Sequence, residues 1–187
     1  MNPNDDTILE RIQVVVAETL RIPRESVRPD SLLHDGLGAE SLDFVDIEFK
    51  LETEFGVEFY HDSVMEKLSE LFAPRQMETD GRLTAFGAEI LRLRMTEAPE
   101  GAFQPDGPAN PAAVFTPRTW LRAVRELLDA RPTTCLHCGS AELAVTAPSV
   151  LRCSGCGKQI MAPAGGECIE AWAASLALPV IMPAIHA

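Results

Sequence analysis

Asp35-Gly36-Leu37-Gly38-Ala39-Glu40-Ser41-Leu42-Asp43 decides how this chain is read, together with Glu52-Thr53-Glu54-Phe55-Gly56-Val57-Glu58-Phe59 a little further on. Gly36 and Gly38 supply turns, and a helix is predicted to begin near Glu40 or Ser41 and to run to Phe55, with Gly56 as its C-terminal cap. Leu42, Val45 and Phe49, with Phe44, Ile47, Leu51 and Phe55, form a wide apolar stripe along it. Asp43, Asp46, Glu48, Glu52 and Glu54 take most of the remaining circumference, so the expected outer face is acidic. A serine at a helix N-terminus is exposed, and the helix dipole there tolerates a phosphate. No neighbour activates the Ser41 hydroxyl, so it reads as a substrate and not as a nucleophile. The plainer alternative is an N-cap on a solvated helix.

Outward from this helix the pattern stays helical. Thr7 and Glu10 form a capping box ahead of Ile8, Ile12, Val15, Val16 and Thr19, which predicts a helix over 7–20 that Pro23 ends. Ser63-Val64-Met65-Glu66 opens another over 63–72, stopped before Pro74. Leu83, Phe86, Ile90, Leu91 and Leu93 predict a helix over 84–95. Four prolines then make 97–113 a connection without regular structure. Thr116-Pro117 starts a last helix, over 116–131, that packs back on the others through Trp120, Val124, Leu127 and Leu128.

The two quoted stretches resemble the acyl carrier proteins, whose loop ends in Leu-Gly-Ala-Asp-Ser-Leu and whose second helix ends in Glu-Glu-Phe-Gly-Ile. The resemblance covers residues 5–73 without a break, with helix 116–131 as the last of the bundle. It implies a mainly α fold, an acyl-carrier-like four-helix bundle with an inserted helix. It further implies 4′-phosphopantetheine on Ser41, placed there by a phosphopantetheinyl transferase, with a thiol that holds acyl groups as thioesters for fatty-acid or polyketide-type synthesis and no catalysis by the chain itself. Glu40, Asp46, Glu48 and Glu52 are then the carboxylates that dock on basic patches of acyl-transferring and condensing enzymes. Two departures stand out: Glu40 where the family usually has Asp, and the segment 74–115, which a minimal carrier lacks. That segment reads either as a lid or docking surface or as a peripheral extension of the core. Met65, Met77 and Met95 around it line an acyl pocket on the first reading and are ordinary core on the second.

Cys135-Leu136-His137-Cys138-Gly139 and Cys153-Ser154-Gly155-Cys156-Gly157 are two Cys-x-x-Cys-Gly knuckles. Each presents two thiolates to one tetrahedral ion, and the glycine after the second cysteine permits a tight turn. Between them, 143–146 and 150–152 suit a hairpin, with Ile160-Met161 as a third short strand. This resembles a zinc ribbon over 132–163, with Zn2+ held by Cys135, Cys138, Cys153 and Cys156. A four-Cys site is closed to substrate, so its expected role is structural. Redox dithiols and an iron-sulfur site are the competing readings. His137 is expected on the surface and Cys168 buried as a small apolar residue.

The domains expected are thus a helical carrier over 1–131, the ribbon over 132–163 and an apolar tail over 164–187. Charge separates them: residues 1–80 hold 19 acids and 7 bases, whereas 81–187 hold 9 of each. A field of that sign repels phosphate, which disfavours nucleic acid and anionic membrane as partners of the front part, so no nucleic acid is expected there. The ribbon has only Arg152 and Lys158 against Glu142 and no aromatic residue, which points to protein contact. The start is polar and acidic, and the stretch from Ala171 to Ala187 is short for a span and broken by Pro179 and Pro183, so a soluble cytoplasmic protein is expected. The main alternative function is a carrier-fold scaffold or regulatory protein without the prosthetic group. A thiol enzyme using Cys168 or His137 is a distant third.

Overall fold

The computed structural model describes residues 3–176. Helix α1 (Asp5–Leu20) starts earlier than its sequence signal, because the Asn4 side chain accepts the Thr7 amide at 2.8 Å and fills the cap expected of Thr7 itself. Helices α2 (Leu33–Leu37), α3 (Ser41–Phe55) and α4 (Val64–Leu71) follow. A two-stranded hairpin of β1 (Glu78–Thr79) and β2 (Arg82–Leu83) leads into α5 (Ala85–Arg94), and α6 (Pro117–Asp129) comes after the proline-rich connection. The chain ends in the antiparallel sheet β3 (Leu143–Ala147), β4 (Val150–Cys153), β5 (Gln159–Met161) and helix α7 (Gly165–Ser175). The fold is therefore mainly α with a small C-terminal sheet, as the resemblance implied.

Two apolar cores stand side by side. The first is the carrier bundle, where Ile8, Ile12 and Val16 of α1 meet Ile47 and Leu51 of α3 and Trp120, Val124 and Leu128 of α6. The second joins Met65 and Leu68 of α4 to Met77, Leu83, Ile90, Leu91, Met95 and Phe103, all from the segment a minimal carrier lacks. That segment is thus a folded layer with its own interior. It closes tightly: a Cβ on Gly87 would lie 1.8 Å from the Met77 carbonyl oxygen, so only glycine lets α5 cross the chain there. Thr84 caps α5 by accepting the Gly87 amide at 2.9 Å and donates to the Gln76 carbonyl at 2.7 Å. The hairpin at 78–83 turns on Asp80 and Gly81, at φ +51 and +75.

Ile169, Trp172 and Leu176 have helical spacing, and residues 165–175 form a packed helix. Helix α7 lies across the seam, with Cys168 in the first core and Ile169 in the second. The Gly165 amide donates to the Glu58 carbonyl at 2.9 Å, and a Cβ there would meet the Tyr60 amide nitrogen at 2.4 Å. Lys67 pairs with Glu170, and Phe72 meets Trp172 edge-on at 6.5 Å. The remainder of the expected tail, 177–187, lies outside the described residues. Among the described residues no helix is long and apolar enough to cross a membrane.

The sheet rests on the end of α3. The Ser149 amide donates to the Gly56 carbonyl at 2.9 Å, and Arg131 donates to the Phe55 carbonyl. Gly56 has φ +63, and a Cβ on it would stand 2.5 Å from Val145 Cγ1. The residue that ends α3 is therefore also the seat of the sheet.

Candidate functional site

Ser41 is the first residue of α3, and its approach is pinned from below. Gly38 at φ +74 turns the chain, the buried Ala39 donates to the Leu33 carbonyl at 2.9 Å, and His34 Nδ1 lies 2.9 Å from the Ala39 carbonyl. The Glu40 amide donates to the Asp43 carboxylate at 2.8 Å, which ties Asp43 to the helix start. Ser41 itself is left exposed, where a phosphate would meet the free amides of the first turn.

The faces of α3 differ from the expected division into apolar inside and acidic outside. Ile47 and Leu51 are buried, but Leu42 is 81% exposed and Val45 and Phe49 are exposed below it. These three make an apolar strip running down from Ser41. Conversely, Glu52 is only 5% exposed, accepting the Phe59 amide at 2.7 Å and pairing with His61 Nε2 at 2.9 Å. It holds the chain after α3 and is corrected from a docking residue to an internal acceptor. Glu48 lies one turn earlier, largely buried, with His61 Nδ1 at 3.5 Å. Burial pushes its carboxyl above the usual range, outweighing the nearby Trp120 indole and His61, which favour the charged form. Glu48 keeps 20% of its side chain exposed and stands on the wall of the groove beside Ser41. Glu40 and Asp46 are exposed, Asp46 with Lys50 at 2.7 Å.

Beside Ser41 opens a groove of about 400 Å3, walled by His34, Phe44, Val45, Glu48, His61 and Phe115. A second space of about 260 Å3 continues past Tyr60, Val64 and Met65 beneath Asn110–Ala112 of the added segment. Apolar and polar walls in series suit a long prosthetic arm that carries amides between methylene groups. Sequence reasoning missed Leu42, Val45, Phe49 and His61 as site residues. The only signal for His61 was its spacing from the α3 carboxylates, which means nothing until the chain turns at Gly56.

The four knuckle cysteines come together beyond the ends of β3 and β4 that lie away from Gly56. Their sulfurs all lie within 4.8 Å of one another, with Cys135 to Cys156 at 3.7 Å and Cys138 to Cys153 at 3.6 Å. Sulfurs about 2.3 Å from a tetrahedral zinc stand about 3.7–3.8 Å apart, so the donor set fits that ion. The two knuckles repeat one geometry. Gly139 and Gly157 have φ +74 and +72, and their amides donate to the Cys135 and Cys153 carbonyls at 2.8 and 2.9 Å. Without an ion the thiols share their protons: the backbone amide of Cys156 pulls the Cys153 thiol down to about 7, while Cys138, despite the Ser140 amide, is pushed up to about 12 beside the Cys153 sulfur. His137 is exposed, and Cys168 is buried on α7, where burial raises its thiol to about 11.

A helical bundle with a glycine turn leading into an exposed serine beside a groove is the arrangement of a carrier domain. The family model described as the phosphopantetheine attachment site matches residues 10–70. An acyl carrier protein of Thermosynechococcus vestitus is 42% identical over 65 residues, 35% of this chain and 79% of that protein. "Acyl carrier protein 3" of Ralstonia nicotianae is 37% identical over 60 residues, 32% of this chain and 69% of its own length. "Acyl carrier protein AcpXL" of Rhizobium meliloti is 44% identical over 48 residues, 26% of this chain and half of its own length. No solved structure matches. The chain belongs to the acyl carrier protein family.

Proposed function

We propose that this protein carries 4′-phosphopantetheine on Ser41 and presents acyl groups to biosynthetic enzymes of fatty-acid or polyketide type, without catalysing a reaction itself. The observation that carries this is the exposed Ser41 at the start of α3, reached through a rigid Gly-turn and opening on the groove past Phe44 and Glu48. The bound arm would supply a thiol that holds the acyl group as a thioester. Ser41 anchors the phosphodiester, the first-turn amides of α3 face its charge, and the groove walls shelter the arm.

A phosphopantetheinyl transferase and acyl-handling enzymes would dock on the α3 face. Leu42, Val45 and Phe49 give the apolar contact, and Glu40 and Asp46 steer basic patches toward it. The domain boundaries that fit are a carrier over 1–131 with its insertion at 74–115, a zinc ribbon over 132–163, and a C-terminal element from 164 on that begins with α7. Zn2+ on Cys135, Cys138, Cys153 and Cys156 has a structural role, holding the sheet that seats on Gly56. Incubation with coenzyme A and a transferase, followed by intact mass of wild type and Ser41→Ala, tests the carrier reading: one arm on the wild type and none on the variant.

A further inference from the structure

Residues 29–49 contain six acids, Asp30, Asp35, Glu40, Asp43, Asp46 and Glu48, and no lysine or arginine. A phosphate on Ser41 would therefore stand among carboxylates. The start of α3 offsets this in part only, because the Asp43 carboxylate already accepts the Glu40 amide there at 2.8 Å. Among the described residues the groove beside Ser41 has no lysine or arginine on its wall either. Its two groups able to become cations are histidines, and they are differently engaged. His61 is committed on both sides, with Nε2 2.9 Å from Glu52 and Nδ1 3.5 Å from Glu48. His34 is fixed on one side.

His34 is the second residue of α2, and its ring is tied to the loop that presents Ser41. Its Nδ1 lies 2.9 Å from the Ala39 carbonyl, and a carbonyl only accepts, so Nδ1 carries the hydrogen. The Gly38 amide donates to the His34 carbonyl at 3.0 Å and the Ala39 amide to the Leu33 carbonyl at 2.9 Å, which makes ring and loop one rigid piece. The other nitrogen, Nε2, belongs to a side chain 63% exposed that lines the same groove as Ser41. Asp35, at 3.9 Å from Nε2, is too far for a hydrogen bond. The titratable groups around the ring are thus Asp35 on its own helix and, across the groove, Glu48 of α3 and His61; Asn110, Ala112 and Ala113, which complete the wall, add none. With Nδ1–H fixed, the neutral ring turns a lone pair to an anion at Nε2, whereas the protonated ring offers both a donor and a charge.

We propose that His34 is a positioning residue for the modification: its protonated Nε2 donates to a phosphate oxygen of 4′-phosphopantetheine on Ser41 and holds the base of the arm against the groove. This rests on the carrier reading of Ser41 and deepens it. The contact is made at the acid side of the histidine range and released as the ring loses its proton. Wild type and His34→Asn are loaded from coenzyme A by a transferase, attachment is checked by intact mass, and the phosphorus NMR signal is followed from about pH 5 to about pH 8. Asn keeps a donor for the Ala39 carbonyl and removes Nε2. A phosphodiester takes up no proton in this range, so a signal that moves reports a neighbour. The wild-type signal should move in one step, and that of His34→Asn should stay flat. In wild type itself, loading should shift the His34 Nε2 nitrogen signal at about pH 5 more than the ring signals of His61 and His137, a readout independent of any substitution. A flat wild-type signal, a step that survives in His34→Asn, or His34 nitrogen signals unchanged by loading overturns the proposal while the carrier reading stands. No arm on Ser41 by mass overturns the carrier reading itself, and the role of His34 falls with it.

Discussion

Glu52 and Leu42 lie on one helix and exchange the roles their chemistry advertises. Because Phe59 turns back under α3, Glu52 is drawn inward to accept its amide, and Glu52→Ala leaves that buried donor unpaired. A loss of about 1–3 kcal/mol is expected from urea unfolding. Leu42→Asp should leave stability unchanged, since the side chain is exposed, yet slow transferase loading roughly tenfold through loss of an apolar anchor. Glu48 gives a pH signature. Its native carboxyl titrates above the ordinary 4.5, so between the two values the folded state holds a proton that the unfolded chain has released. Stability contributed by this group is therefore full below 4.5 and falls as pH rises through the raised value. The urea midpoint of Glu48→Gln should gain on wild type as pH rises above 4.5, and a constant gap would contradict the burial argument. Ser41 and the helix it starts were legible in sequence, because turn, cap and charge are local signals. Which side of α3 faces inward was not. Apolar residues cover too much of its circumference, and only the path of 57–61 decides the side.

Elements show the same division. Helix ends marked by Gly56, Ser63, Thr84 and Thr116-Pro117 stand where local chemistry puts them, within a residue or two. The β1–β2 hairpin and the placing of α7 were not legible, since a two-residue strand has no periodicity and α7 acquires its meaning from two cores far away in sequence. Gly87 is the sharpest test of the added layer. Gly87→Ala drives a Cβ into the Met77 carbonyl, and a loss of about 1–3 kcal/mol, the usual cost of overpacking, is expected in thermal unfolding. If the layer were a loose lid, the variant would melt like wild type. Its continuity with α4 and α7 puts Met65, Met77 and Met95 together in one buried core.

Across the whole molecule, the acidic front, the added layer and the sheet meet along α3, with Ser41 at one end and Gly56 at the other. With zinc bound, the four knuckle thiols should react slowly with a thiol reagent. After chelation they should react quickly while Cys168, buried and raised to about 11, stays slow. Cys135→Ser with Cys153→Ser should abolish bound zinc, and unchanged metal content would remove the ribbon assignment. The excess of 19 acids over 7 bases in residues 1–80 also takes on a narrower meaning, because Glu52 is turned inward whereas Glu40 and Asp46 stay exposed beside an apolar strip. All of this depends on what Ser41 bears. Intact mass after incubation with coenzyme A and a phosphopantetheinyl transferase decides it: a single phosphopantetheine on wild type and none on Ser41→Ala is the expected result, and an unmodified wild type with several transferases would contradict the account.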